Sequence, residues 1–141
     1  MNNKTSDTKL AHPKISIDGI YIKDLEFASI KDIHEPIEIE AKFEVENKFS
    51  EDKNKLTHIL TLKLFDKHQS PPFKLKISVI GFFSKENKEG RSLEEFSKYN
   101  APTILFPYLR QYATMVTRNS QHDTFYIPPI NIFQLIDDDK S

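Results

Sequence analysis

Five histidines, His12, His34, His58, His68 and His122, are the side chains of this chain best suited to proton transfer or metal ligation. No two stand at the i, i+4 spacing that sets a metal between successive turns of a helix. His58 alternates with leucines in LTHILTLKLF, which places it as an interior or edge histidine of a strand. Ser120, His122 and Asp123 supply the residue types of a nucleophilic triad, but they are neighbours in one loop. Working triads converge from separated segments. Glu38, Glu40, Glu44 and Glu46 alternate with apolar residues and so form the solvated face of a strand. Gly81 and Gly90 are isolated, so no glycine-rich loop cradles a phosphate. Cysteine is absent, which removes thiolate ligands, thiol nucleophiles and disulfides together and fits a reducing, cytoplasmic setting. No acid, base, nucleophile and metal set converges. The expectation is a non-enzymatic protein with no cofactor and no metal.

The elements that carry these residues belong to one domain, since 141 residues suffice for one core but not two. The formal net charge of −1 and the lack of a Lys/Arg cluster argue against nucleic-acid binding. Residues 1–14 are polar, without the apolar stretch of a signal peptide, and read as a disordered arm. No apolar run approaches a membrane span, so direct membrane insertion is not expected. Residues 137–141, DDDKS, read as an acidic flexible tail after a single domain over residues 15–136. Eleven Phe and five Tyr, with no Trp, fill a core, and any surplus on the surface marks a binding face.

The hydropathy pattern predicts four strands and then two helices. Over residues 15–30 the alternation slips twice, from Ile15 and Ile17 to Ile20 and Ile22, then to Leu25 and Phe27. Each slip needs a bulge, the first at Gly19. Residues 37–49 alternate without error, with Ile37, Ile39, Ala41, Phe43 and Val45 inward. Residues 56–66 are apolar on both faces, as in a central strand. Residues 73–83 send Phe73, Leu75, Ile77 and Val79 inward and then present Phe82 and Phe83 to opposite faces. A capping box at Ser92 and Glu95 opens a short helix to about Tyr99, and Pro102 is expected to stop it. A long helix should start near Leu105 or Phe106, because Pro107 fits only a first turn, and end near Asn119. Its apolar stripe is Leu105, Tyr108, Tyr112, Met115 and Val116. The string is β-β-β-β-α-α followed by a Pro-interrupted apolar segment, an α+β arrangement with helices on one face of an antiparallel sheet.

Apolar residues are left over at element ends and in loops, among them Phe82 or Phe83, Phe106, Phe125, Tyr126, Ile127 and Phe133. The residues at 20–27 (IYIKDLEF), 81–84 (GFFS), 101–110 (APTILFPYLR) and 127–133 (IPPINIF) resemble, in order and spacing, the SecB export chaperones. Tyr21, Lys23 and Asp24, the run from Leu105 to Arg110, and the end from Pro129 to Phe133 carry most of the likeness. It covers about residues 15–136.

The resemblance implies a four-stranded antiparallel sheet with a Greek-key connection and a long helix across it. It implies a homotetramer built as a dimer of dimers, binding non-native polypeptides or preproteins in apolar grooves without ATP, with hand-over to the translocase motor SecA. By analogy the client groove would draw on Ile33, Phe82, Phe83, Leu105, Phe106, Tyr126 and Ile127. Leu75, Ile77, Val79, Tyr108, Tyr112 and Met115 would support subunit packing, and Asp24 would touch SecA. Two features depart from the family pattern. Ala28 and Lys76 stand where the family carries acidic SecA-facing residues, and the chain ends soon after Ile136, where the family usually adds a helix and tail. A SecB-like chaperone serving another client, such as the antitoxin of a toxin–antitoxin system, is the alternative, as is an adaptor for one protein partner.

Overall fold

The computed structural model describes residues 15–32, 39–86 and 90–122. Four strands, β1 (Ile15–Ser29), β2 (Ala41–Phe49), β3 (Lys55–Leu64) and β4 (Phe73–Lys85), form one antiparallel sheet in the order β1-β4-β3-β2. Connections over residues 50–54 and 65–72 join β2, β3 and β4 in sequence, and β1 lies beside β4, so the chain crosses from one edge to the other between β1 and β2. That is the Greek-key arrangement the resemblance implied. Two helices, α1 (Leu93–Tyr99) and α2 (Ala101–Arg118), follow, and α2 packs on β3 and β4.

Both expected bulges in β1 are present. Pairing with β4 shifts between Ile17 and Gly19 and again between Ile22 and Asp24, so Asp18 and Lys23 are the extra residues. Gly19 also leaves room for the Tyr21 ring, which a β-carbon there would meet at 2.5 Å. The shifts keep Ile17, Ile20, Ile22, Leu25 and Phe27 opposite Phe83, Gly81, Val79, Ile77 and Leu75, hence on one face.

On that face Leu56, Leu60, Leu62 and Leu64 of β3 and Leu75, Ile77, Val79 and Phe83 of β4 are buried under the helices. The alternation of Phe82 and Phe83 resolves here: Phe83 enters the core and Phe82 points to the opposite, open face. β2 is shorter than its pattern suggested. Ile37 lies outside the described residues, Ile39 is exposed and precedes the strand, and pairing begins at Ala41 with Leu64. After β3 the buried Phe65 takes a left-handed turn at φ 61° and donates its N–H to the Glu40 carbonyl at 2.8 Å. A bulky residue tolerates that conformation only when its surroundings hold it. Here burial and the edge-on ring of Phe73, 5.1 Å away, do so.

The helices correct two expectations. α1 begins as expected, with the Ser92 hydroxyl accepting the Glu95 N–H at 3.1 Å. Pro102 does not separate the helices by a long hinge, because only Asn100 stands between them and Pro102 lies in the first turn of α2. A proline there forgoes an N–H that has no helical partner anyway. Pro107 therefore sits inside the helix rather than in its first turn. The buried stripe is also rotated from the expected one. Ala101, Leu105, Leu109, Ala113 and Thr117, spaced four apart, form its centre, with Pro102 and Phe106 beside them. Tyr108 and Met115 are exposed, and Tyr112 and Val116 are half-buried. Small residues at 101, 113 and 117 let the helix axis approach the sheet more closely than Tyr or Met could.

Candidate functional site

His58, the histidine with the most restrictive surroundings, is wholly buried on the helix-covered face, opposite Gly81 of β4 and Asn47 of β2. Its Nδ1–H donates to Asn47 Oδ1 at 2.5 Å, while Nε2 has no partner among the described residues. Burial alone pulls its pKa down from 6.5 to about 4, so the ring stays neutral. A neutral imidazole sealed from solvent cannot reach a substrate. Among the described residues, Ser120 and His122 do not assemble a nucleophile either. The Ser120 hydroxyl donates to the Thr117 carbonyl at 2.7 Å, and His122 Nε2 meets the Ser29 hydroxyl at 2.8 Å. The His122 ring lies against Phe73 and Phe27 at 5.0 and 6.4 Å. Asp123 lies outside the described residues. Among the described residues no three His, Asp or Glu side chains are placed to hold a metal, and no helix is long and apolar enough to cross a membrane.

What the structure does present is uncovered apolar surface. The helix layer lies over β3 and β4, and β1 carries its share of the same face beyond that layer. Ile17, Ile22 and Leu25 are consequently 54%, 41% and 37% exposed, although their cross-strand partners Phe83, Val79 and Ile77 are buried. The α2 side facing this strip can be deduced. The Phe106 ring meets Phe43 of β2 at 6.0 Å, so that flank faces β2. Helical geometry puts Ile104, Tyr108, Tyr112 and Met115 on the other flank, toward β1. Tyr108 and Met115 are 40% and 46% exposed there. An apolar strip on an edge strand and an apolar flank on a helix thus share one side of the molecule, the sort of surface that marks a polypeptide or subunit contact.

The residues expected at the groove and seam distribute differently. Phe83, Leu105 and Phe106 are core residues of the protomer, and so are Leu75, Ile77 and Val79. Phe82 is exposed, but on the open face, where its ring lies 6.1 Å from that of Tyr21. Asp24 is also on the open face and pairs with Lys23 at 3.1 Å. Ile33, Tyr126 and Ile127 lie outside the described residues. Tyr108, Tyr112 and Met115 stand on the flank just described. The strip on β1 was missed in the sequence, although the unbroken run of large apolar residues through both bulges is its signal.

A family model described as preprotein translocase subunit SecB matches residues 8–141. The chain belongs to the SecB family. A SecB protein-export protein of Desulfotalea psychrophila is 26% identical over 141 residues, covering 94% of this chain and 90% of the relative. An uncharacterised protein of Methanocaldococcus jannaschii is 26% identical over 129 residues, covering 86% and 83%. Among solved structures, a SecB-like chaperone of Mycobacterium tuberculosis, in complex with a ChAD peptide from an antitoxin, matches with a TM-score of 0.70. It is 14% identical, and the match covers 88% of this chain and 92% of that one, which establishes the shared fold. Membership of the SecB family supports a chaperone role and does not point to an enzyme.

Proposed function

We propose that this SecB-family protein is an ATP-independent holdase that binds non-native polypeptides in the cytoplasm, in the service of protein export. The observation that carries the reading is the uncovered apolar side, with Ile17, Ile22 and Leu25 on β1 and Tyr108 and Met115 on α2. Burying these side chains against a client or a second copy removes apolar area from water at roughly 25 cal/mol per Å². A strip on an edge strand can also add main-chain hydrogen bonds to an extended chain, which suits clients of unrelated sequence. Tyr108, Tyr112 and Met115 are assigned to the seam between subunits of a homotetramer, a dimer of dimers. The β1 strip is assigned to the client, together with Ile33, Tyr126 and Ile127.

Two measurements test this reading. A chemically unfolded client should stay in solution when diluted into stoichiometric amounts of the protein without nucleotide; unchanged aggregation would refute the holdase. Tyr112→Asp should lower the mass found by light scattering, because an unpaired charge in an apolar contact costs several kcal/mol. A wild-type mass for the variant would remove Tyr112 from the seam.

A dedicated client is the second reading. The chaperone of similar fold was solved with an antitoxin peptide. In addition, Asp24 is the one acidic residue among the three positions matched to the family's SecA contact, the others being Ala28 and Lys76. A basic partner surface would be repelled by Lys76. Titration with SecA and with a panel of unfolded chains separates the readings: export predicts SecA binding and broad client capture, dedication predicts neither.

A further inference from the structure

The helices leave the second face of the sheet open, and its register gathers lysines at one end. Lys42, Lys63 and Lys76 are directly opposed across β2, β3 and β4, with Glu26 of β1 completing the row. Lys74 lies two residues from Lys76 on the same face and is opposed by Ala28. Like charges directly opposed in neighbouring strands work against the sheet. Glu44 answers for two of them, with one carboxylate oxygen 3.3 Å from Lys42 Nζ and the other 3.2 Å from Lys63 Nζ. Partial burial pushes the Glu44 carboxyl up, but the bonds and charges of Lys63 and Lys42 outweigh it and hold the group below its ordinary value. Asp24 is engaged with Lys23. Among the described residues Lys74 and Lys76 make no ion pair. Both line a cleft of about 670 Å³, together with Lys63, Ala28, Glu26 and Asp66.

We propose that this cleft docks an extended acidic segment of a partner protein, anchored by Lys74 and Lys76. Alternate residues on one strand face stand roughly 6.6 to 6.8 Å apart. Carboxylates at every second position of an extended segment running along β4 repeat at that same interval and reach both ammonium groups. Beyond Lys76 the face passes the buried Ser78, bonded to the Thr61 hydroxyl at 2.8 Å, and only then turns apolar, with Ile80 half-buried and Phe82 against Tyr21, so the far end of the segment carries apolar side chains. Glu26 and Asp66 break the positive field, which disfavours the unbroken phosphate line of a nucleic acid. The chain carries a net charge of −1, so attraction of acidic peptides must come from this local patch. The two lysines stand on the opposite face of the sheet from the apolar β1 strip, although Leu25 of that strip also lines the cleft, and Ala28 and Lys76 are the positions at which this chain departs from the family's acidic SecA contact.

The experiment is fluorescence anisotropy of a labelled peptide alternating Asp with apolar residues, titrated with the full chain. Its Asn-substituted counterpart and a single-stranded oligonucleotide of equal length serve as alternative probes. The acidic peptide should bind best and weaken as salt rises from about 50 to about 300 mM. Lys74→Glu with Lys76→Glu should weaken it at least about tenfold. Lys48→Glu with Lys98→Glu, an equal change of net charge at exposed positions elsewhere, should leave it within about twofold. Circular dichroism melting checks that both double variants fold. Equal weakening by both variants, equal binding of the Asn peptide, tighter binding of the oligonucleotide, or no binding of any probe overturns the proposal.

Discussion

Two strips on one face of the same sheet, built from the same kinds of residue, meet opposite fates. Leu60 and Val79 in the two central strands are buried completely, whereas Ile22, directly opposite Val79 on β1, is 41% exposed. The difference is one of width. Strands lie about 4.8 Å apart and a helix with its side chains is about 10 Å across, so one helix covers about two strands. α1 and α2 are separated by a single residue, and α2 lies over β3 and β4. On β1, Ile15, Ile20 and Phe27 still pack against the core, whereas Ile17, Ile22 and Leu25 stay exposed. Amphipathic alternation says which residues share a face; the layer above the face decides which of them are covered.

That contrast can be broken by mutation. Leu60→Ala should cost about 2–5 kcal/mol in urea unfolding, since it removes packing from a site with no access to solvent. An outcome within experimental error of wild type would mean that the covered strip is not the core. His58 sharpens the same side of the contrast by pH. Its folded pKa of about 4 lies below its ordinary 6.5, so the unfolded chain binds the proton more readily. The stability contribution is therefore complete above about pH 6.5 and declines as pH falls toward 4, by about 3 kcal/mol over the interval. His58→Leu should flatten that part of the pH profile, and an unchanged slope would assign it to other groups. Gly81→Ala should lose about 1–3 kcal/mol, because its β-carbon would meet Leu105 Cδ1 at 2.8 Å and the Phe83 ring at 3.0 Å. Ile22→Ala, on the uncovered strip, should change protomer stability by less than about 1 kcal/mol. A loss matching that of Leu60→Ala would show that Ile22 is covered after all.

Much of the architecture was legible because strands announce themselves by strict alternation. The two slips in β1 located both bulges for the same reason, since only an extra residue keeps Ile22 and Leu25 on the face of Ile17. The resemblance carried the strand order, which no pattern of single strands determines. The helix was harder. Large apolar residues drew attention to Tyr108 and Met115, yet the stripe that packs includes Ala101, Ala113 and Thr117. The Thr117 hydroxyl hides its polarity by donating to the Ala113 carbonyl at 2.9 Å, which hydropathy cannot register. Pro102 and Pro107 look alike as helix breakers, and their roles separate only once the first residue of α2 is known. The site was the least legible part. Whether Ile22 or Leu25 faces solvent depends on how far the helix layer reaches, a tertiary quantity. Three of the expected groove residues, Phe83, Leu105 and Phe106, proved to be the protomer's own core.

The claim that the uncovered strip receives non-native chains is tested most directly by aggregation of an unfolded client with wild type and with Ile22→Ser combined with Leu25→Ser. Both positions are exposed, so the variant should melt close to wild type. The account predicts that wild type suppresses aggregation at stoichiometric amounts and that the folded variant largely fails to do so. Suppression by the variant equal to that of wild type would contradict it.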